Sequence, residues 1–427
     1  MSYFIISIAV LILLVLLNVP IAFALGGSAL TLFVITDVSL SIIPLKAFGS
    51  TTSFTLLAIP LFMFLGAIME RTKISDALIN FSSSLVGWLK GGLAMVNVVV
   101  SMFFAGMSGS SASDVSSIGS ILIPQMQRKG YPKDFSVAIT SFSSTAALII
   151  PPSISMILYG IIAQVSIIKL FIAGIIPGLI LGAGQLIMCY IFAKKYNYPI
   201  EEKFEMGKLL KNFFSALPAF IIPVTILGGV LGGIFTITES AAAAVVVAIL
   251  LSVTIFRKNL NMAKIREALI VTSTRTAVIM LLIAMAGLLG WFIANEQIPQ
   301  KITQQILLFT DNPLLILLFI NIFLAIMGCF LSSGAALVIL TPILAPMAES
   351  LGINLLHFGI IMILNLDMGT QTPPVGGTML LACVIGKATI GEVFRVNKYF
   401  ILFGFAVVLL VTYFPIISLW LPSIFTK

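Results

Sequence analysis

The chain has 427 residues, 60% of them hydrophobic and 9% charged, with a formal net charge of +8. A water-soluble fold cannot bury that much apolar side chain, and continuous apolar runs exclude the short alternating strands of an outer-membrane barrel. The composition therefore defines an all-α polytopic membrane protein seated in a lipid bilayer. The basic excess lies in short loops between apolar runs, which is a membrane-sidedness pattern, so no nucleic-acid partner is expected.

In chain order, residues 4–34 read as a retained first membrane span, because no small-residue cleavage site follows them. Residues 52–70 form a second span. The amphipathic stretch 74–88 follows as a helix lying along the membrane surface. Residues 91–127 are apolar but break in the middle at "GMSGSSASDVSSIG" (106–119), and each half is short for a crossing. They are read as a re-entrant helical hairpin. Backbone of this kind is tolerated at membrane depth only where protein or a water-filled cavity surrounds it. Further spans follow at 136–163, 169–193, 212–235, 237–256 and 267–294. A second amphipathic stretch (296–310) precedes a second interrupted region (313–349), also read as a hairpin. Spans at 357–386 and 399–421 close the chain.

Cys189, Cys329 and Cys383 all lie in apolar stretches without metal-ligating neighbours and read as packing residues. His357, the one histidine, begins a span and is expected to be satisfied there. Glu239 in "TESAAAA" reads as a helix start, and Arg275, near the beginning of its span, as a snorkelling side chain. The sequence contains no phosphate loop, metal cluster or catalytic triad, so it is not read as an enzyme and no cofactor is expected.

With the N-terminus placed in the cytoplasm and nine crossings, all but five of the 23 Lys and Arg face the cytoplasm; the five are Lys46, Lys169, Arg275, Lys301 and Lys427. This charge asymmetry sets the orientation, with the first hairpin entering from the cytoplasm, the second from outside, and the C-terminus periplasmic.

Sliding the chain by 222 positions lays "ILIP" (121–124) on "ILAP" (343–346), the Pro pair 151–152 on 373–374, Ser110-Ser111 on Ser332-Ser333 and Gly106 on Gly328. An internal repeat of four crossings joined by one extra helix results, with the copies in opposite orientation: 1–195 as the first inverted repeat, 196–224 as a cytoplasmic loop with the start of the connecting helix, and 225–427 as the second. Inverted repeats of this kind characterise secondary transporters.

Each repeat carries two polar breaks. In the first, the hairpin tip 108–114 meets "SSTAALIIPPS" (143–153); in the second, "FLSSGAAL" (330–337) meets "DMGTQTPPVGG" (367–377). A Pro pair removes backbone donors and forces an unwound segment, making two broken spans. Freed carbonyls and hydroxyls suit Na⁺, and half-helix N-termini suit an anion. A first Na⁺ site is expected from Ser108, Ser110, Ser111, Asp114, Thr145 and Pro151. A second is expected from Gly328, Ser332, Ser333, Asp367, Gly369 and Thr372. A small anionic substrate is expected between the tips, at Ser110, Ser153, Ser333, Gly334, Thr372 and Gly376. Asp114, beside a mid-membrane break, could also be a hairpin cap or a proton carrier.

Along nearly its whole length the chain resembles the large membrane subunit of tripartite ATP-independent periplasmic (TRAP) transporters. The matching stretches include "AIPLFMFLGAIM" (58–69), "MSGSSASD" (107–114), "IPPSISMILYG" (150–160), "LFIAGIIPG" (170–178), "LTPILAP" (340–346) and "TPPVG" (372–376). The resemblance implies an elevator-type fold like that of the ion transporter superfamily. It implies Na⁺-coupled import, across a bacterial inner membrane, of a small organic anion such as sialic acid or another carboxylate. It also implies a separate small four-helix membrane subunit and a periplasmic substrate-binding protein as partners. Two positions depart from the family pattern: Ser332 stands where the second hairpin usually carries an acid, and Asp367 precedes the second Pro pair where an apolar residue is usual. A stand-alone Na⁺- or H⁺-coupled carboxylate carrier is the alternative, and a membrane enzyme a more distant one.

Overall fold

A computed structural model describes residues 2–72, 74–201, 203–256 and 260–425. Lys73, Arg257, Lys258 and Lys427, used in the charge reading, lie outside the described residues. The first half runs through α1 (Ser2–Leu16), α2 (Ile21–Ile35), α3 (Ile42–Gly49), α4 (Ala58–Glu70) and α5 (Ile74–Val86). It continues through α6 (Gly92–Ser108), α7 (Ser111–Asp114), α8 (Ser120–Arg128), α9 (Lys133–Ser143), α10 (Ala146–Ile149), α11 (Ile154–Ile162) and α12 (Ile167–Tyr196). The second half runs through α13 (Met206–Leu231), α14 (Ile237–Thr254), α15 (Met262–Asn295) and α16 (Ile298–Leu307). It ends with α17 (Pro313–Phe330), α18 (Ser333–Ser350), α19 (Leu355–Thr370), α20 (Gly377–Gly386), α21 (Ile390–Tyr413) and α22 (Ile416–Phe425). Among the described residues seven unbroken helices are long and apolar enough to cross a membrane, or nine if two bent pairs each count as a crossing.

The 222-residue shift carries α6 onto α17, α7 and α8 onto α18, α9 and α10 onto α19, α11 onto α20 and α12 onto α21, within a residue or two at most ends. The shift also carries α3 and α4 together onto the single helix α15. Start signals agree with local chemistry. Thr236 and Glu239 form a reciprocal capping box at α14, as the helix-start reading of Glu239 requires, and Thr389 and Glu392 form another at α21.

The stretch 4–34 is not one span. Asn18 takes a left-handed conformation (φ 62°), Pro20 precedes α2, and the two helices fold back on each other, with the Ser7 and Ser28 hydroxyls 2.6 Å apart. Each arm has 15 residues, about 22 Å of helix. The helix expected to join the repeats is likewise reassigned: α13 packs on α14 as α1 packs on α2, so it opens the second half.

Two groups of helices pack mainly among themselves. One gathers α1–α5 with α13–α16, around α2 and α4 against α15 and α13 against α14. The other gathers α6–α12 with α17–α22. Here α9 lies against α20 and α21, α12 against α22, and α19 between α17 and α18. Helices α12 and α21 pack on the hairpin group, against α6, α9 and α19. The arms of each hairpin splay around the first half of the following span: α9 touches both α6 and α8, and α19 touches both α17 and α18. The amphipathic helices α5 and α16 brace the hairpins, α5 on α6 and α16 on α18.

Candidate functional site

Each hairpin tip is tied to its own broken span by backbone. Ile154 N donates to Gly109 O (3.3 Å), and Gly376 N, 222 residues on, donates to Cys329 O (3.4 Å). Gly109 is left-handed (φ 59°), and a Cβ there would lie 2.8 Å from Pro152 O. Only glycine lets tip and break meet this closely.

The halves then cross over. The second part of the first broken span, α11, packs on the second hairpin's α18, and α20 packs on α7, α8 and the π-turn Val115–Gly119 of the first hairpin. Polar atoms follow the crossing. Ser111 Oγ lies 3.5 Å from Thr378 Oγ1, Thr378 donates to Thr370 Oγ1 (3.2 Å), and Thr370 donates to Asp367 O (2.7 Å). Ser141 on α9 donates to Gln371 Oε1, whose amide returns to Ser141 O (3.0 Å). Ser111, expected beside the first break, therefore faces the second.

Asp114 is fully buried. Its Oδ2 accepts a 2.7 Å bond from Ser101 on the opposite arm, and Oδ1 has no partner. Ser101 lies 3.0 Å from Ser143, Ser143 donates to Asn97 Oδ1 (3.0 Å), and Asn97 donates to Thr140 (2.6 Å). Asp114 bonds across the hairpin and makes no side-chain cap bond to the π-turn Val115–Gly119 that follows it. Ser108 is buried with its hydroxyl unpartnered, while Ser110 is half-buried. Thr145 is committed locally: it donates to Phe142 O (2.7 Å) and accepts from Gln185 on α12 (3.1 Å). Pro151 is buried at the break, in a cis bond to Pro152; Pro373–Pro374 is cis too.

In the second half Asp367 is fully buried with both carboxylate oxygens unpartnered. The 222-residue shift places it on Thr145. Val407 stands where Gln185 would be, so the amide that engages Thr145 has no equivalent. Ser333 is buried with a free hydroxyl, Ser332 is exposed, and Gly334 is half-buried. Thr372 donates back to Met368 O (2.9 Å). Gly376 is buried and left-handed at the start of α20. Ser153, expected to touch substrate, caps α11 and donates to Leu148 O (2.6 Å), so its hydroxyl is occupied.

Gly328 and Gly369 are in backbone contact; a Cβ on Gly369 would lie 2.4 Å from Gly328 Cα. They act by packing, and Gly369→Ala should destabilise the protein by about 1–3 kcal/mol. Gly391→Ala, where a Cβ would meet nothing within 4 Å, should not. Reversible unfolding in detergent, followed by helical circular dichroism, compares the two.

Sequence reasoning missed Asn97, Ser101, Thr140, Gln185, Gln371, Thr378 and Asn397. Asn97, Ser101 and Gln185 are single polar residues inside apolar runs, which is the signal that marks them; Thr140, Gln371, Thr378 and Asn397 lie among other polar residues and carry no such signal. His357 is satisfied as expected, 2.7 Å from Ser418 Oγ and 3.2 Å from Thr412 O. A cavity of about 670 Å³ separates the two helix groups, lined by Gly49 and Ser50 of one and Ala163, Thr341 and Pro342 of the other; none of the expected site residues reaches it.

Paired hairpins and broken spans, repeated in the same order around buried polar breaks, define a helical membrane transporter of the inverted-repeat kind. Residues 8–417 match the family described as "Tripartite ATP-independent periplasmic transporter, DctM component", and the chain belongs to that family of transport proteins. It is 34% identical to the sialic acid TRAP transporter large permease protein of Vibrio cholerae, covering 96% of each chain. It is 36% identical to the C4-dicarboxylate TRAP transporter large permease protein of Pseudomonas aeruginosa, covering 93% of each. The crystal structure of the Alcanivorax borkumensis YdaH transporter shares the fold at a TM-score of 0.60 and 14% identity, over 90% of this chain and 88% of that one.

Proposed function

We propose that this chain is the large membrane subunit of a Na⁺-coupled importer of a small organic anion, sialic acid or another carboxylate. Its partners are a separate four-helix membrane subunit and a periplasmic binding protein that delivers the substrate. The observation that carries the reading is the set of buried oxygens left unpartnered beside the two breaks: Ser108 Oγ, Asp114 Oδ1, Ser333 Oγ and both oxygens of Asp367. A buried carboxylate oxygen without a donor costs several kcal/mol unless a cation or a proton meets it. A hard cation takes hydroxyl, carbonyl and carboxylate oxygens of this kind. The hairpin group, α6–α12 with α17–α22, moves as the elevator body against the remaining helices.

The protein sits in the bacterial inner membrane. Because α1 and α2 fold back on each other, residue 2 and residue 35 share a side. Keeping the basic loops cytoplasmic then places the N-terminus in the periplasm, opposite to the placement that a single first span required, and leaves the C-terminus periplasmic too.

Replacing Ser110 and Ser111 together by leucine should abolish uptake by proteoliposomes that hold both membrane subunits and are supplied with loaded binding protein. Uptake unchanged by the pair removes the tip from the site. The same vesicles given free substrate should show no uptake above background; uptake of free substrate would instead favour a stand-alone carrier.

A further inference from the structure

The sequence reads Arg275 as a snorkelling side chain, and the fold places this exposed residue beside the first hairpin's tip. It is the fourteenth residue of the 34-residue helix α15, eight residues and about 12 Å beyond Glu267, which pairs with Arg71 (3.7 Å) at the cytoplasmic end. There it lines a cavity of about 150 Å³ closed on the other side by the first hairpin's tip: Ser108, Ser110, Ala112 and Ser113. Among the described residues no carboxylate forms an ion pair with it. Arg275 is exposed, so its unpaired guanidinium at the edge of the cavity is accessible to an anion.

The other wall supplies donors. Ser108 is 1% exposed with no partner for its hydroxyl, and Ser110 is half-buried beside it. Ser113 is already engaged by Glu70 of α4, across the boundary between the two helix groups. Ile154, first residue of α11, also borders the cavity. The cavity has room for about five waters, enough for the charged head of a substrate and too little for a whole one.

We infer that Arg275 and the hydroxyls of Ser108 and Ser110 form a subsite for the carboxylate head of the transported anion, half on each helix group. The inference rests on the organic-anion reading above. A guanidinium takes a carboxylate through two parallel N–H bonds, and a serine hydroxyl donates a third. Arg275 belongs to the group that holds α4, whereas both serines belong to the hairpin group. The subsite is therefore complete only while the hairpin tip lies against α4. Movement of the hairpin group separates the anion from its cation and favours release.

The test uses Ala112→Cys as a reporter in the full chain, with Cys189, Cys329 and Cys383 replaced by alanine, in phosphatidylcholine nanodiscs with NaCl. The readout is the rate of maleimide labelling in the presence of succinate, N-acetylneuraminate, gluconate or neutral succinamide. At least one carboxylate, and not succinamide, should slow labelling. Arg275→Gln should raise the concentration for half-protection at least tenfold, and Arg275→Lys by less. Protection unchanged in Arg275→Gln overturns the subsite and leaves the transport reading standing. No protection of the wild-type cavity by any carboxylate overturns both. Protection by added phosphatidylglycerol but by no soluble carboxylate assigns the cavity to a lipid headgroup and overturns the subsite.

Discussion

Asp114→Asn is expected to reduce Na⁺-driven uptake at least 100-fold while leaving the protein folded. The asparagine oxygen can still accept the 2.7 Å bond from Ser101, so the hairpin keeps its cross-link to the Ser143, Asn97 and Thr140 chain. Only the negative charge at the unpartnered oxygen is lost. In the wild type a Na⁺ concentration of about 100 Kd should stabilise the fold by about 2.7 kcal/mol, since the ion binds the native state alone. In the variant that stabilisation should shrink sharply, and without Na⁺ the variant should be at least as stable as wild type, because it removes an uncompensated buried charge. Uptake together with thermal unfolding at several Na⁺ concentrations checks both. Wild-type uptake by the variant would make the network purely structural.

The second large effect is expected at Asp367. Helix α19 buries it completely, and neither carboxylate oxygen has a protein donor. Its counterpart Thr145 is held by Gln185, whereas the position matching Gln185 is Val407. The fold thus supplies no partner for a charge that needs one. If Asp367 holds a coupling ion, Asp367→Asn should reduce uptake at least tenfold and lower the Hill coefficient for Na⁺ by about one. The two variants then differ in kind, because each leaves the other's ion in place. A Na⁺ dependence of unchanged steepness in Asp367→Asn would remove this residue from the coupling.

The hairpins and breaks were legible because their signals are local and occur twice. A Ser/Gly cluster interrupting an apolar run, followed by a Pro pair, marks an unwound segment wherever it stands, and a constant shift of 222 pairs the copies. What escaped was long-range or single. The turn at Asn18–Pro20 rests on one left-handed asparagine and one proline, too faint to divide 4–34. The crossing of α11 onto α18 and of α20 onto the first hairpin joins residues some 200 apart, and no periodicity reports it. Expecting each hairpin to serve its own broken span was natural from sequence, yet Ser111 meets Thr378 of the other half. The hydroxyls of Thr145 and Ser153 were legible as polar atoms at a break, but not as atoms already paired with Gln185 and Leu148 O. Arg275 was judged by its distance from the start of an apolar run, and that distance could not show that it borders the tip of a hairpin more than 150 residues away in sequence.

The most direct measurement is substrate uptake by proteoliposomes containing both membrane subunits, with loaded binding protein outside and the Na⁺ gradient as the only variable. Uptake should accumulate substrate under an inward gradient, stop accumulating when Na⁺ is equal on both sides, and fall to background when choline replaces Na⁺. Accumulation of equal size in choline would contradict the account, because the unpartnered oxygens beside the two breaks would then have no part in driving transport.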